Sequence, residues 1–128
     1  METIGRRSWA IAEGYIPSRS DAPPGRERAL ESHETACLLN GGDAPAHVRI
    51  MIYFSDRQPA GPYEVTVPPQ RTLHLRFNDL RAPEPVPRDK DYASILTSDV
   101  PIVVQHTRLD SRQAALSLLS TIAFPGAA

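Results

Sequence analysis

The sequence has 128 residues, 41% of them hydrophobic and 23% charged, which predicts one globular domain over residues 1–128 with a core at about residues 9–124. The formal net charge of −1 gives no support to a duplex-DNA binder, because such proteins usually carry a basic surface. The only cysteine, Cys37, excludes a disulfide within one chain and predicts a reducing, cytoplasmic location.

Proline content and the lack of long apolar runs indicate the fold class. Thirteen prolines are spread along the chain, about twice the usual share, and proline interrupts helices. About seven or eight short strands at regular spacing predict an all-β fold, an antiparallel β-sandwich of jelly-roll-like architecture. The longest apolar run, Ile50–Phe54, is far shorter than the roughly 20 residues of a membrane-spanning helix, so membrane association is expected only through a partner.

The first half of the chain contains three predicted strands. The first covers Trp9–Ile16 and leads into a polar surface loop over Ser18–Glu31, with room for one helical turn at its end. The second covers His33–Asn40, and the third covers His47–Ser55. The third alternates clearly, and its apolar face consists of Val48, Ile50, Ile52 and Phe54.

The middle of the chain continues the strand pattern. Tyr63–Val67 alternates, and Arg71–Asn78 alternates most cleanly, with Leu73, Leu75 and Phe77 on its apolar face. Leu80–Lys90 is proline-rich and is predicted to be an ordered loop. Ala93–Leu96 fits a short strand or a turn of helix.

The last predicted strand, Val100–Leu109, is apolar on both faces in its first half. Such strands usually lie in the middle of a sheet with both faces covered. We expect a loop or another subunit to cover the outer face, and the second possibility suggests oligomerisation. Beyond it, the sequence leaves two alternatives open, a helix over Arg112–Ser120 or a strand over Leu119–Phe124.

Three histidines in predicted strands are weak candidates for a metal site. His33, His74 and His106, together with Glu13 or Glu34, could hold zinc or another divalent ion if they met across a sheet. The alternative is that each is hydrogen-bonded locally, and the absence of a pair such as His-x-His favours this second interpretation. Cys37 is predicted to be a small, buried hydrophobic residue rather than a ligand or nucleophile.

A second set of polar residues lies on adjacent strands or strand ends. It offers forked donors and acceptors that could clamp a carboxylate, a phosphate or an array of sugar hydroxyls, with Trp9 or Tyr15 as a stacking surface. An ordinary solvated sheet face with cross-strand ion pairs is an equal alternative. Trp9 itself is predicted to belong to the core. The set comprises Arg71, His74, Arg76, Asn78, Gln105, His106, Arg108 and Asp110.

Four blocks of the sequence resemble the sensory rhodopsin transducer family, named for the soluble transducer of a cyanobacterial sensory rhodopsin. They are WAIAEGYIP at Trp9–Pro17, HETACLLN at His33–Asn40, RTLHLRFNDL at Arg71–Leu80 and PIVVQHTRLDSRQ at Pro101–Gln113. The blocks occur in the same order, and the likeness runs from Trp9 to about Phe124. The Ser18–Glu31 loop and the C-terminal tail match no pattern of the family.

The resemblance implies a small β-sandwich that assembles as a homotetramer and has a cytosolic signalling role without enzyme activity or cofactor. It implies relay from a membrane photoreceptor or, in relatives without one, binding of a small, polar, sugar-like ligand. A role in transcription is a further implication, although the charge does not support DNA binding. The polar positions carried over as ligand-binding candidates are Glu13, His33, Glu34, His74, Arg76, Asn78, Gln105, His106 and Arg108.

These observations lead to three hypotheses of different classes. The first is a transducer or binding module, which the absence of Gly-x-Ser-x-Gly, phosphate-loop and Gly-x-Gly-x-x-Gly motifs favours. The second is a metal-dependent enzyme that uses the three strand histidines. The third is a transcription-linked DNA-binding regulator.

Overall fold

The computed structural model describes residues 3–113 and 115–127, and the chain forms eight antiparallel strands. The strands are β1 (Arg6–Ile11), β2 (His33–Asn40), β3 (Ala46–Phe54), β4 (Ala60–Val67), β5 (Arg71–Arg76), β6 (Tyr92–Asp110), β7 (Ser117–Ile122) and β8 (Phe124–Pro125). A short helix, α1 (Glu27–Leu30), precedes β2, and a 3₁₀ turn at Phe77–Asp79 follows β5. Neither helical segment in this described part of the chain is long and apolar enough to cross a membrane.

One long strand, β6, belongs to both layers of the sandwich. Its first half lies between β3 and β1 in a sheet ordered β4-β3-β6-β1-β8. Its second half lies between β2 and β7 in a sheet ordered β5-β2-β6-β7. The change of partners occurs near Pro101, since pairing with β3 ends at Ser98 and pairing with β2 begins at Val103. Proline fits this point because it has no N–H to donate to a neighbouring strand.

The apolar faces predicted for the strands pack against one another between the two layers. Val48, Ile50 and Ile52 of β3 are buried, as the alternation of that strand predicts. Trp9 is 4% exposed, and its indole Nε1 donates to the carbonyls of Arg6 and Ile102, both at 3.0 Å. Its assignment to the core is therefore confirmed, and its ring is not available to stack on a ligand. The all-β sandwich is confirmed as well.

The first strand is shorter than the sequence predicts. It ends at Ile11 rather than Ile16, so the prediction was wrong for Ala12–Ile16. Other groups satisfy the backbone of this segment: the Tyr92 N–H donates to Gly14 O at 2.9 Å, and the Glu34 carboxylate accepts from the Tyr15 N–H at 2.9 Å. A side chain and the start of β6 thus take the hydrogen bonds that a continued ladder would have used.

The C-terminal region resolves the alternative that the sequence left open. Ser117–Ile122 is a strand that pairs with β6 from Gln105 to Asp110, so no helix extends to Ser120. Ala114 lies outside the described residues. The apolar strand predicted at Val100–Leu109 is central, as expected, and forms part of a β6 that begins eight residues earlier at Tyr92.

Candidate functional site

A buried carboxylate connects β2 and β6, the two central strands of the second sheet. Glu34 is fully buried, and one of its oxygens, Oε1, forms a very short hydrogen bond with Nε2 of the buried His106. Its other oxygen, Oε2, accepts from Arg108 Nε at 2.6 Å and from the Tyr15 N–H at 2.9 Å. Three partners on different parts of the chain therefore share the two oxygens of this carboxylate. We call Glu34, His106 and Arg108 the buried triad.

Strand alternation and register explain why the buried triad forms. On β2, Glu34 has the same parity as the core residues Ala36 and Leu38, so its side chain points inward. The antiparallel register places Glu34 opposite Arg108 and Ala36 opposite His106. The three side chains therefore lie next to one another on the inner face.

Asn78 holds the backbone around this carboxylate. Its Oδ1 accepts from the Glu34 N–H at 3.3 Å, and its Nδ2 donates to Ser32 O at 2.9 Å. Asn78 is buried at the 3₁₀ turn after β5, so this turn fixes the start of β2. Asn78 is therefore a support of the buried triad rather than a wall of a pocket.

The electrostatics of the network favour a charged Arg108 and a neutral Tyr92. Burial alone would lower the pKa of Arg108, but its interactions with Glu34 and then Glu13 outweigh this effect and raise the pKa. Arg108 Nη2 lies 2.9 Å from Glu13 Oε1, an ion-pair contact that is poorly aligned for a hydrogen bond. Burial, followed by the Glu34 charge, raises the pKa of the Tyr92 phenol well above its usual value.

A surface pocket of about 270 Å³ opens above Arg108. Its two arginines already have partners, since Arg108 contacts Glu34 and Glu13, and Arg112 Nη2 lies 2.6 Å from Asp110 Oδ2. The Arg112 guanidinium also lies 5.7 Å from the centre of the Tyr15 ring. We call this the acidic pocket, lined by Glu13, Tyr15, Pro17, Asp91, Arg108, Asp110 and Arg112.

Other predicted site residues lie on the opposite, outer face of the same sheet. His33, His74 and Arg76 line a groove there, together with Thr35, Cys37 and Thr107. We call this the outer groove. Gln105 is exposed and lies opposite Cys37, whose side chain points to the outer face. The polar residues taken from the sequence as one set are thus divided between two faces.

The register also separates the three histidines proposed as metal ligands. His74 pairs with Cys37 on the outer face, whereas His106 pairs with Ala36 on the inner face. Among residues 3–113 and 115–127, no group of three His, Cys, Asp or Glu side chains is placed to hold a metal ion. The hypothesis that His33, His74 and His106 share one ion is therefore wrong in its geometry. Cys37 is half-buried rather than fully buried.

Sequence reasoning missed three residues that line the acidic pocket, Pro17, Asp91 and Arg112. Asp91 reaches Tyr15 through an isolated bridge, because the chain before β6 folds back over the segment after β1. Arg112 lies two residues beyond the end of β6. The spacing Asp110-x-Arg112 was a usable signal, since acid and guanidinium two residues apart at a strand end can pair locally.

Comparisons with known proteins agree with this architecture. The family model described as Anabaena sensory rhodopsin transducer matches residues 4–125. The solved structure of the Anabaena sensory rhodopsin transducer is 54% identical, with 84% of this chain and 100% of that chain covered and a TM-score of 0.71. The crystal structure of Thermotoga maritima 1070 is 35% identical, with 95% and 96% covered and a TM-score of 0.83. No curated protein matches the chain.

Proposed function

Because this chain belongs to the Anabaena sensory rhodopsin transducer family, we propose that it is a signal-transducer module that senses a small, polar, sugar-like ligand in the acidic pocket. The observation that carries this proposal is the position of Arg108. Its guanidinium forms part of the pocket wall and also holds the fully buried Glu34 at 2.6 Å. A ligand that displaces Arg108 therefore acts directly on the core of the second sheet.

The charges of the pocket favour a neutral ligand that donates hydrogen bonds. Its three carboxylates, those of Glu13, Asp91 and Asp110, outnumber its two arginines, which pair with Glu13 and Asp110. An anion would meet unfavourable charge there, whereas sugar hydroxyls can donate to the carboxylates. The Tyr15 ring offers an apolar face against which a sugar ring can pack.

A thermal-shift experiment tests the ligand class. We expect a neutral hexose or pentose to raise the unfolding midpoint, and the matched sugar acid to leave it unchanged. A ligand at a hundred times its dissociation constant adds about 2.7 kcal/mol to the folded state, which corresponds to several degrees for a domain of this size. No shift with any neutral sugar, or a shift with sugar acids alone, would contradict the proposal and leave a membrane photoreceptor as the source of the signal.

Variants on the two faces of the second sheet provide the control. Tyr15→Ala and Asp91→Asn change side chains of the acidic pocket but keep the Tyr15 N–H that donates to Glu34, so they are expected to remove the sugar-dependent shift. The double variant His74→Ala with Arg76→Ala changes only the outer groove and should keep the shift. Loss of the shift in the outer-groove variant alone would place the sugar site on the other face.

We also propose that the module works in the cytoplasm as a homotetramer. The last two strands expose large apolar side chains, with Leu118 at 71%, Ile122 at 59% and Phe124 at 75%. Contiguous apolar side chains on an edge strand are typical of a surface that another chain covers. The resemblance supports four subunits, and the exposed strand β7 supports an interface at this edge.

Light scattering tests this assembly. We expect the unchanged protein to form a tetramer at micromolar concentration, and Leu118→Ser with Phe124→Ser to reduce the assembled mass. A matched control is Tyr53→Ser, since Tyr53 is 36% exposed on β3, away from this edge. A monomeric mass for the unchanged protein would refute the proposal.

A further inference from the structure

The outer groove is chemically distinct from the acidic pocket. It has a volume of about 360 Å³ and lies across β2, β5 and β6. Its walls are His33, Thr35, Cys37, His74, Arg76 and Thr107, so it contains one guanidinium, two imidazoles, two hydroxyls and no carboxylate. Thr107 and Arg108 are neighbours on β6, and alternation sends one to the outer groove and the other to the acidic pocket.

Arg76 is held in position by hydrogen bonds that use only part of its guanidinium group. Its side chain is 19% exposed, and Nη1 donates to Arg28 O at 2.9 Å and to Glu31 Oε1 at 3.4 Å. Both of its hydrogen bonds within the described residues use this one nitrogen, so Nε and Nη2 remain as donors. A fixed guanidinium with two adjacent free donors matches the geometry of an oxyanion.

His33 is the second group that can contact an anion. Its Nδ1 lies 2.7 Å from Glu31 O and therefore donates to it, so Nε2 is the nitrogen that remains. Protonation of the ring would make Nε2 a charged donor as well. His74 adds another imidazole from β5, opposite Cys37 in the register.

From this set of donors we propose that the outer groove binds a phosphate-type oxyanion, with Arg76 as the permanent charge and His33 and His74 as the groups that reinforce it. The carboxylate next to Arg76, that of Glu31, also contacts Arg28, and Arg28 in turn pairs with Asp79 at 2.8 Å. These charges balance one another outside the groove. The site is separate from the proposed sugar pocket and does not depend on it.

The electrostatics of His33 make binding and proton uptake cooperative. Burial lowers the pKa of His33, and the charges of Arg76 and Arg28 lower it further, while Glu31 raises it. The other titratable groups of the groove are His74 and Cys37. A bound anion would offset Arg76 and raise the pKa of His33, so binding of the anion should strengthen as the pH falls through the histidine range.

Amide NMR of the full chain, titrated with inorganic phosphate at constant ionic strength, tests the site. We expect saturable shifts at His33, Thr35, His74, Arg76 and Thr107. A parallel titration with glycerol phosphate distinguishes a free anion from a phosphate group carried on a larger molecule. Tighter binding of inorganic phosphate would indicate a free anion, and tighter binding of glycerol phosphate would indicate a phosphate group on a larger molecule. Sulfate keeps its charge across the histidine range, so it should bind more tightly as the pH falls through that range.

Arg76→Gln and Arg49→Gln are the matched pair for this titration. Arg49 lies on β3 in the other sheet, where it faces Glu64 at 3.6 Å. We expect Arg76→Gln to weaken phosphate binding about tenfold, equivalent to about 1.4 kcal/mol, and Arg49→Gln to leave it unchanged. His74→Asn, at an exposed position, replaces Arg76→Gln if that variant does not fold. Shifts that never saturate, shifts elsewhere on the protein, or equal affinity in the two arginine variants would overturn the proposal.

Discussion

Replacing Glu34 by alanine is expected to lower the free energy of unfolding by about 3–5 kcal/mol, since it removes one partner from a buried ionic network. The carboxylate is fully buried and has bonds to His106, Arg108 and the Tyr15 N–H. Without it, the charged contact that Arg108 retains among the described residues is with the exposed Glu13. Denaturant unfolding of the variant and the unchanged protein measures the difference.

The same substitution at Glu64 is the control for Glu34. Glu64 also lies on a strand and faces an arginine, Arg49, but both side chains are exposed, at 70% and 62%. An exposed ion pair of this kind contributes about 0–1 kcal/mol, so Glu64→Ala should be nearly neutral. Equal losses for the two variants would show that the buried triad does not stabilise the fold.

Gly5→Ala is expected to destabilise the protein by about 2–5 kcal/mol, because it combines a clash with backbone strain. A Cβ at Gly5 would lie 2.1 Å from Ile102 O, which is backbone and cannot rotate away. The φ angle of Gly5 is +118°, a conformation that side chains rarely adopt. The clash occurs where β1 meets β6, so thermal unfolding should report the loss in full.

Gly25→Ala separates the two parts of this effect. Gly25 also has a positive φ, +83°, but a Cβ there would meet nothing within 4 Å. Only the conformational cost remains, about 1–2 kcal/mol. If Gly25→Ala were as damaging as Gly5→Ala, the close approach to Ile102 would have no energetic importance.

The sequence was sufficient where alternation alone decides the structure. The bounds predicted for β2, His33–Asn40, are confirmed at both ends, and Val48, Ile50 and Ile52 of β3 are buried as expected, while Phe54 is partly buried. The pattern was insufficient where distant groups decide. The end of β1 at Ile11 depends on hydrogen bonds from Tyr92 and to Glu34, which lie far away in the chain.

The residue types of the candidate site were predictable from the sequence, but the face of the sheet on which each residue lies was not. Glu34, His106 and Arg108 were singled out together with His33 and His74, yet only register shows that the first three lie inward and the other two outward. Alternation gives the relative face of residues on one strand. It does not give the pairing between strands, and one step of register exchanges the two faces.

The two-layer position of β6 has a consequence for how the chain is made. The indole of Trp9 on β1 donates to the carbonyl of Ile102, a partner 93 positions later in the chain. Until the ribosome has produced Tyr92–Asp110, neither sheet has its central strand, and β1 and β3 expose apolar faces and unpaired edges. Non-local pairing of this kind also makes β-sandwiches fold slowly, on a scale of roughly milliseconds to seconds. We therefore expect a nascent chain that lacks β6 to expose strand edges that favour aggregation.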